Sequence, residues 1–330
     1  EFSTVMVSYL NMSNQKPVLL SGIKPTGDLH IGNYFGAMRQ LTELSATNKY
    51  KCFIFVADYH ALNTMQDADE MKKRTRELVM AYLAVGLNPD NVVFFKQSDV
   101  PAHTELAWIF DAITTMPYLM RAHAFKDAEA RSKEISVGTF NYPMLMAADI
   151  LLYDTDVVPV GQDQKQHIEI ARDTAEKFNR TYKTEIFKLP EPYILPDVAV
   201  VPGTDGQKMS KSYGNVIPLF VSRDELAKCV MSIVTDSSCA RPENVYAIHK
   251  LVRNEAELAP MYAENEGNYK ALKEILIEDL DNYFKGMRAK YDELKNDSNI
   301  VGKVLAKGRE EAIAVSSAKM SLVRSAIGVS

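Results

Sequence analysis

Five short apolar segments punctuate the first two-thirds of the chain and predict buried strands. They are "PVLLSG" at 17–22, "CFIFVAD" at 52–58, "NVVFF" at 91–95, "DVVPVG" at 156–161 and "VAVV" at 198–201. Continuous apolar runs of this kind are typical of strands that are covered on both faces. Segments with helical spacing of apolar residues lie between them, over 31–46, 70–85 and 161–179. The alternation predicts an α/β fold with a doubly wound parallel sheet.

The pattern changes twice along the chain, and the changes predict its domains. The stretch around 97–155 is mostly helical and indicates a helical insertion into the α/β domain, which we place at 16–221. Beyond it the strand signal ends and long amphipathic segments follow, so we expect an all-α domain over 222–330. Residues 1–15 lack the basic start of a signal peptide and are interpreted as an N-terminal extension, in part vector-derived.

Composition narrows the class of protein without identifying it. Of the 330 residues, 46% are hydrophobic and 25% are charged, as in ordinary globular proteins. A net charge of −5 means that any polyanionic partner must be bound by local basic patches. The three cysteines lack metal-binding spacing and favour a reducing, cytoplasmic location. No stretch reaches the ~18 consecutive apolar residues of a membrane span, so no membrane partner is expected.

Two short motifs carry the functional signal, although each alone has an ordinary explanation. "HIGN" at 30–33 follows the first strand and could be a simply capped helix start, with Asp28 or Thr26 as the cap. "KMSKS" at 208–212 follows the last predicted strand and could be a solvated, glycine-flanked turn. The pair is more specific, because both motifs suit a phosphate-binding site at the carboxyl ends of the strands.

This pair resembles the signatures of class I aminoacyl-tRNA synthetases, and among them those of the bacterial tryptophanyl branch. The resemblance also extends to "SGIKPTGDLHIGNYFGAMRQ" at 21–40, "QSDVPAH" at 97–103, "YPMLMAADILLY" at 142–153 and "DVVPVGQDQKQHIEIARD" at 156–173. It implies a Rossmann-like catalytic domain over 16–221 and an anticodon-binding helical domain over 222–330. The C-terminal third carries little of the resemblance.

The resemblance implies an ATP site. Lys208, Lys211, His30 and Asn33 would be the catalytic residues, with the lysines closing over the departing pyrophosphate. Gly32 would leave room for the adenosine. Asn33 replaces the second histidine of the class signature and can donate a hydrogen bond without titrating. The implied ATP-binding residues are Lys24, Thr26, Gly32, Asn33, Gly161, Asp163, Met209, Ser210 and Lys211. Lys24 as a solvated loop residue and Asp163 as an N-terminal helix charge stay open as alternatives.

The resemblance also implies a tryptophan site. Asp149 would accept the indole N–H, because a carboxylate with such apolar neighbours needs a partner. Tyr142 and Gln164 would orient the α-amino group. Tyrosine also carries a hydrogen-bond donor, so Asp149 alone cannot exclude it. The shape of the pocket, set by Met146, Val158 and Val160, would have to do so. His60 follows a strand end, where substrate residues collect, although a role as bystander is equally open. His103 and His249 carry no usable signal.

The expected reaction has two steps, and ATP with its Mg²⁺ is the expected cofactor. L-Tryptophan would attack the α-phosphorus of ATP, and the adenylate would then acylate the 3′-terminal adenosine of tRNA(Trp). Rate would come from positioning and charge stabilisation rather than from a nucleophilic side chain. No dedicated metal site is expected, and a homodimer follows from the resemblance. The alternatives are a tyrosyl-tRNA synthetase, another nucleotidyltransferase, and a non-catalytic paralogue that binds tryptophan or ATP.

Overall fold

Parallel strands form the centre of the molecule. The structure is a computed structural model that describes residues 16–25, 27–130, 134–160, 165–194, 201–235 and 241–329. The strands are β1 Val18–Ile23, β2 Lys51–Val56, β3 Val92–Lys96, β4 Val157–Val160 and β5 Glu191–Ile194. They pair in the order β3-β2-β1-β4-β5, and every pair is parallel. The predicted α/β class is confirmed.

The strand at the β5 edge was not predicted. Its sequence "EPYI" begins with a charged residue and a proline, which weakens the apolar signal. Proline lacks the N–H that a central strand donates to its neighbour, and it is tolerated in an edge strand because one side of that strand has no neighbour. Of the strand predicted over 198–201, residues 198–200 lie outside the described ranges. Val201 is not in a strand of the sheet, although its carbonyl oxygen accepts from Met209 N at 2.9 Å.

Helices cover both faces of the sheet. The first, α1, runs from Ile31–Asn33 through a π-helical turn at Tyr34–Met38 into Arg39–Ala46. The others are α2 Asp58–Ala61, α3 Ala68–Ala84, α4 Ala102–Ile113, α5 Met116–Leu119, α6 His123–Ala130, α7 Val137–Leu151, α8 Lys165–Tyr182, α9 Arg223–Met231, α10 Glu243–His249, α11 Glu255–Glu264, α12 Tyr269–Asn296 and α13 Ile300–Ile327. No helix in the described ranges has both the length and the apolar character needed to cross a bilayer.

Strand residues alternate between two hydrophobic cores, as the pleat requires. Ile54 and Phe94 face the core that contains residues of α1, α3 and α12. Phe53 and Phe95 face the core that contains residues of α4, α7 and α8. Both faces of the central strands are therefore buried, which explains why their sequences are continuously apolar.

The last helix, α13, covers the edge strand β3. Gly308 lies so close to the strand that a Cβ atom there would overlap the backbone of Phe94. The first half of α13 contributes Val304 to one core, and its second half contributes Met320 to the other. An uncovered edge strand would expose unpaired backbone groups, so this packing protects the sheet.

The strand order places the candidate site. The chain passes from β1 to β2 on one side of the sheet, while β4 lies on the other side of β1. This reversal opens a crevice at the carboxyl ends of β1 and β4, where open α/β sheets bind their ligands. The turn before α1 lies at this edge, and so do α2 and the residues after β3.

Candidate active site

The two predicted motifs lie against each other. Ile31 N donates to the Ile217 carbonyl at 2.9 Å, and Leu219 N donates to the Leu29 carbonyl at 3.0 Å. His30 forms an isolated antiparallel bridge with Pro218 between these two bonds. The turn at the start of α1 is thus joined through its backbone to the segment that follows the "KMSKS" loop.

Two glycines explain how closely the loop approaches this turn. A Cβ atom on Gly32 would lie 2.8 Å from His30 Nδ1 and 3.3 Å from the Cβ of Met209. Gly27 has a φ of +67°, and a Cβ atom there would overlap the Lys211 ammonium. The positive φ makes glycine the favoured residue at 27, and at Gly32 a side chain would displace His30 or Met209. His30, Gly32, Met209 and Lys211 therefore lie close together where the two motifs meet.

A buried asparagine, Asn215, orders the "KMSKS" loop. Its side-chain carbonyl accepts from Ser210 N at 2.8 Å. Its amide nitrogen donates to Asp205 Oδ1 at 2.6 Å and to the Lys208 carbonyl at 3.1 Å. These bonds fix the backbone of the loop, while Lys208 and Lys211 are exposed.

Asn33 has a structural role in addition to the predicted one. Its side-chain oxygen accepts from His30 N at 3.1 Å and so satisfies a backbone donor at the helix start. His30, rather than Asp28, is the N-cap residue. The amide nitrogen of Asn33 remains the donor that the sequence analysis assigned to phosphate.

Burial and charge hold His30 neutral. Desolvation, together with the nearby Lys211 ammonium, lowers the pKa of His30 to about 4. Its Nδ1 is buried and has no hydrogen-bond partner among the described residues. An unpartnered ring nitrogen beside a predicted phosphate site is consistent with a group that is satisfied only when a ligand binds.

Charged groups surround the mouth of this cleft. Arg74 of α3 forms ion pairs with Asp28, with Glu70 at 2.5 Å and with Glu77 at 3.1 Å. Desolvation lowers the pKa of Lys211, and the Asp28 carboxylate partly opposes that shift. A cavity of about 370 Å³ adjoins these groups and is lined by residues that include Lys24, Gly27 and Phe220.

Lys24 lies at this cavity rather than in open solvent. The residue is exposed by surface area, yet desolvation by the surrounding protein lowers the pKa of its ammonium. This environment favours the interpretation of Lys24 as a residue of the site over that of a solvated loop lysine.

Asp149 is buried and accepts hydrogen bonds from three protein side chains. It lies in α7 with 1% of its surface exposed. Its Oδ1 accepts from Gln97 Nε2 at 2.7 Å and pairs with His103 Nδ1 at 2.6 Å, while Oδ2 pairs with His60 Nε2 at 2.8 Å. Burial opposes its ionisation, but the bonds from His103 and His60 outweigh it and hold the pKa below the usual range. The carboxylate is therefore a buried charge with partners, as its apolar neighbours in the sequence require.

The structure groups other predicted tryptophan-site residues near Asp149. Tyr142 and Met146 precede it on the same face of α7, at helical spacing, and both are partly buried. The ring of Tyr142 stands edge-on to His60 with centroids 6.3 Å apart. Val158 of β4 lies in the core that also contains residues of α7. His60 thus contacts Asp149, and its role toward the substrate stays a prediction.

Several predicted residues fall outside the part of the chain that the structure describes. They are Thr26, Gly161, Asp163 and Gln164, together with the side chain of Val160. His167, near the start of α8, lies close to Tyr142, with its Nε2 3.3 Å from the tyrosine hydroxyl.

Sequence reasoning missed three residues of the Asp149 cluster, namely Gln97, His103 and Tyr153. Gln97 and His103 both lie in "QSDVPAH", directly after β3, and Tyr153 lies just beyond the end of α7. For Gln97 and His103 the available signal is their place directly after β3, at the carboxyl edge of the sheet, where site residues collect. Tyr153 follows a helix and carries no such signal.

The comparisons with known proteins agree with this geometry. A family profile described as tRNA synthetases class I (W and Y) matches residues 12–300. A tryptophan–tRNA ligase of Fusobacterium nucleatum is 45% identical over 318 residues, which cover 94% of this chain and 97% of the relative. A solved tryptophanyl-tRNA synthetase of Campylobacter jejuni, complexed with ADP and tryptophan, is 43% identical with a TM-score of 0.87, and the match covers 94% of this chain and 99% of that one.

A doubly wound sheet with the two motifs joined across its carboxyl edge defines a class I aminoacyl-tRNA synthetase. With relatives of such identity over nearly its whole length, the chain belongs to the bacterial-type tryptophanyl-tRNA synthetases.

Proposed function

We propose that the chain activates L-tryptophan with ATP to give tryptophanyl-adenylate and pyrophosphate, and then transfers tryptophan to the 3′-terminal adenosine of tRNA(Trp). The observation that carries this proposal is the close approach of the two motifs, with Gly32 beside Met209 and Gly27 beside Lys211, because a nucleotide bound there would meet both motifs. Asp149 and its donors supply a buried acceptor at the neighbouring strand ends.

In the first step the tryptophan carboxylate attacks the α-phosphorus of ATP, and the bond to pyrophosphate breaks. His30, through an N–H of its neutral ring, and Asn33, through its amide, donate hydrogen bonds to phosphate oxygens. Lys208 and Lys211 stabilise the charge on the leaving pyrophosphate, which is where a preorganised ammonium contributes most. Lys24, Thr26, Gly161, Asp163 and Ser210 complete the nucleotide site.

Tryptophan is selected by a hydrogen bond and by shape. The indole N–H donates to Asp149 Oδ2, which keeps one acceptor site beside His60. Met146, Val158 and Val160 restrict the pocket to a bicyclic ring. Tyr142 and Gln164 hold the α-amino group. A site built around a buried acceptor rejects phenylalanine, because that ligand leaves the acceptor unpaired.

Mg²⁺ would arrive with ATP. The described residues contain no cluster of three or more histidine, cysteine, aspartate or glutamate side chains that suits a metal ion. The ATP phosphates would therefore supply most of the ligands, and the ion would share the negative charge that Lys208 and Lys211 meet.

The helical segment after 221 would bind the anticodon of the tRNA, but three basic residues of α13 are engaged within the chain. Lys307 pairs with Asp90 at 2.7 Å, Lys319 with Asp154 at 2.6 Å, and Arg324 with Glu105 at 2.6 Å. Phosphate contacts in α13 would therefore come from exposed residues that keep their charge available, such as Lys303 and Arg309.

A homodimer and a cytoplasmic location complete the proposal. The dimer is supported by large apolar side chains that are exposed on helices of the insertion, among them Trp108 and Val137 at 75% each and Met116 at 66%. The cytoplasmic location is supported by the free thiols of Cys52 and Cys229.

Amino-acid-dependent pyrophosphate exchange tests the proposed reaction. Exchange should depend on tryptophan and be far weaker with tyrosine or phenylalanine. Lys211→Ala should lower the exchange rate strongly while leaving tryptophan binding close to that of the wild type, and Lys303→Ala on α13 serves as the matched control. Wild-type exchange rates in Lys211→Ala would overturn the role of Lys211, and exchange driven by tyrosine would overturn the substrate.

A further inference from the structure

Three donors leave one acceptor position on the buried carboxylate of Asp149. A carboxylate oxygen accepts about two hydrogen bonds. Oδ1 is filled by Gln97 Nε2 at 2.7 Å and His103 Nδ1 at 2.6 Å. Among the described residues, Oδ2 has only His60 Nε2 as a partner, at 2.8 Å. The remaining acceptor position is therefore on Oδ2.

We propose that His103 and Gln97 are positioning residues, which keep Asp149 ionised with its one open acceptor position turned to the substrate. With Asp149 held in this way, the enzyme selects an amino acid whose side-chain ring carries an N–H over one with an isosteric ring that lacks it. The inference rests on the proposed role of Asp149 as the indole acceptor and adds the residues that make this acceptor selective.

The tautomer of His103 follows from its second partner. His103 Nε2 lies 2.8 Å from the hydroxyl of Tyr153. Burial raises the pKa of Tyr153 well above its ordinary value, so the phenol keeps its proton and donates it to Nε2. With Nε2 accepting from the phenol, the ring proton on Nδ1 is donated to Asp149.

The support for Asp149 is rigid because it comes from separate elements of the sheet edge. Gln97 follows β3, His103 belongs to α4 and His60 belongs to α2. Gln97 and His103 have no exposed surface, and Tyr153 is stacked on Phe53 with centroids 4.7 Å apart. The carboxylate therefore has no room to rotate, and a proton on Oδ1 would have to displace a donor.

The consequence for selectivity is chemical. Hydrogen bonds to a charged acceptor are about twice as strong as those between neutral groups. If Oδ1 loses a donor, Asp149 gains a place to hold a proton, and the neutral acid binds an N–H less strongly. The kcat/KM of an analogue without an N–H would then be closer to that of tryptophan.

The test compares tryptophan with 3-(benzothienyl)alanine, in which sulfur replaces the indole N–H. The ratio of their kcat/KM values in pyrophosphate exchange is measured for the wild type, His103→Leu and His103→Asn. Asparagine can place its amide nitrogen near the position of Nδ1 and keeps the donor, whereas leucine removes it. We expect the ratio to fall about tenfold in His103→Leu, as for a charged acceptor made neutral, and to stay near the wild-type value in His103→Asn.

Two outcomes of this comparison separate the possible failures. A wild-type enzyme that uses both substrates equally would overturn the role of Asp149, and with it the proposed selection of tryptophan. A wild-type enzyme that discriminates, with His103→Leu and His103→Asn retaining the same ratio, would overturn only the positioning role. If His103→Leu does not fold, Gln97→Met takes its place, because it removes a donor to Oδ1 at similar volume. An unchanged ratio in that variant would equally overturn the proposal.

Discussion

Two of the buried polar side chains of the site, His30 and Asp149, are stabilised in opposite ways. Asp149 is ionised because donors surround it, and their bonds outweigh the cost of burying a charge. His30 is neutral because burial and the Lys211 ammonium disfavour the imidazolium. Asp149 therefore keeps a negative charge where the tryptophan ligand is proposed to bind. His30 adds no positive charge beside the lysines of the loop.

The neutral state of His30 predicts the pH dependence of stability. In the unfolded chain a histidine gains a proton near the ordinary pKa of 6.5, whereas folded His30 gains it only at about 4. Between these values the unfolded state binds more protons, so the free energy of unfolding should fall as the pH is lowered from 6.5 to 4. Urea titrations of the wild type and His30→Gln at about pH 5 and pH 7 measure this, and the variant should lose less stability on acidification.

An NMR titration of the His30 ring provides the direct check. A midpoint near 6.5 would show that His30 is as well solvated as a histidine in an unfolded chain, and it would contradict the burial of the ring beside Lys211.

The sequence predicted part of the Asp149 cluster and missed the rest for a physical reason. Apolar neighbours in "MLMAADILLY" require that the carboxylate have a partner, and this much is readable from the chain. The partners themselves come from 52 and 46 residues earlier, at Gln97 and His103. Only the folded sheet brings those polar side chains to Asp149, so no local sequence pattern identifies them as its partners.

At the scale of elements, the "KMSKS" loop depends on Asn215. Removing its three bonds should loosen the loop, since each contributes about 1 kcal/mol. We expect Asn215→Ala to raise the KM for ATP several-fold and to speed proteolytic cleavage of the loop, with little change in tryptophan affinity. Ser212→Ala is the control, because Ser212 is exposed and bonds to the neighbouring Ser210 hydroxyl, at 2.9 Å. A wild-type ATP KM and cleavage rate in Asn215→Ala would contradict this role.

The packing of α13 on β3 predicts that alanine substitutions at two glycines of α13 change the free energy of unfolding in opposite directions. Alanine at Gly308 would overlap the backbone of Phe94, whereas alanine at Gly302 would meet no atom within 4 Å. Overpacking of this kind costs about 1–3 kcal/mol, so Gly308→Ala should lower the free energy of unfolding. Gly302→Ala should raise it by about 1 kcal/mol, from helix propensity alone. Equal urea midpoints for the two variants would contradict the close contact with β3.

The strength of the sequence signal followed the burial of each element. The first three strands were predicted to within about two residues because both of their faces are apolar. The edge strand β5 was missed, since Glu191 and Pro192 interrupt the pattern. The π-helical turn at Tyr34–Met38 has no sequence signature, although such turns are frequent at functional sites.

At the scale of the whole molecule, the C-terminal helix joins elements that the sequence assigned to separate domains. α13 contributes to both hydrophobic cores, and the buried Lys319 donates to Asp154 and to the Ile186 carbonyl at 2.9 Å. The helical segment after 221 is thereby fixed to the sheet that bears the site. The domain boundary near 221 stays a prediction.

The proposed homodimer would give the insertion a function in tRNA charging. Trp108 is the single tryptophan of the chain and is 75% exposed, so its emission reports directly on burial of this surface. The emission should shift to the blue as protein concentration rises, with a matching increase in mass by light scattering. Trp108→Asp should be monomeric, because a charge would be desolvated in an apolar interface.

Trp108→Asp also separates adenylate formation from the transfer of tryptophan to tRNA. If one protomer charges the tRNA whose anticodon the other binds, Trp108→Asp should lose tRNA charging to a greater degree than pyrophosphate exchange, because adenylate formation uses the cleft of a single chain. Leu322→Asp, on α13 with 55% of its residue surface exposed, is the control and should leave pyrophosphate exchange and the mass unchanged. A monomeric Trp108→Asp that charges tRNA as fast as the wild type would show that one chain suffices for both steps.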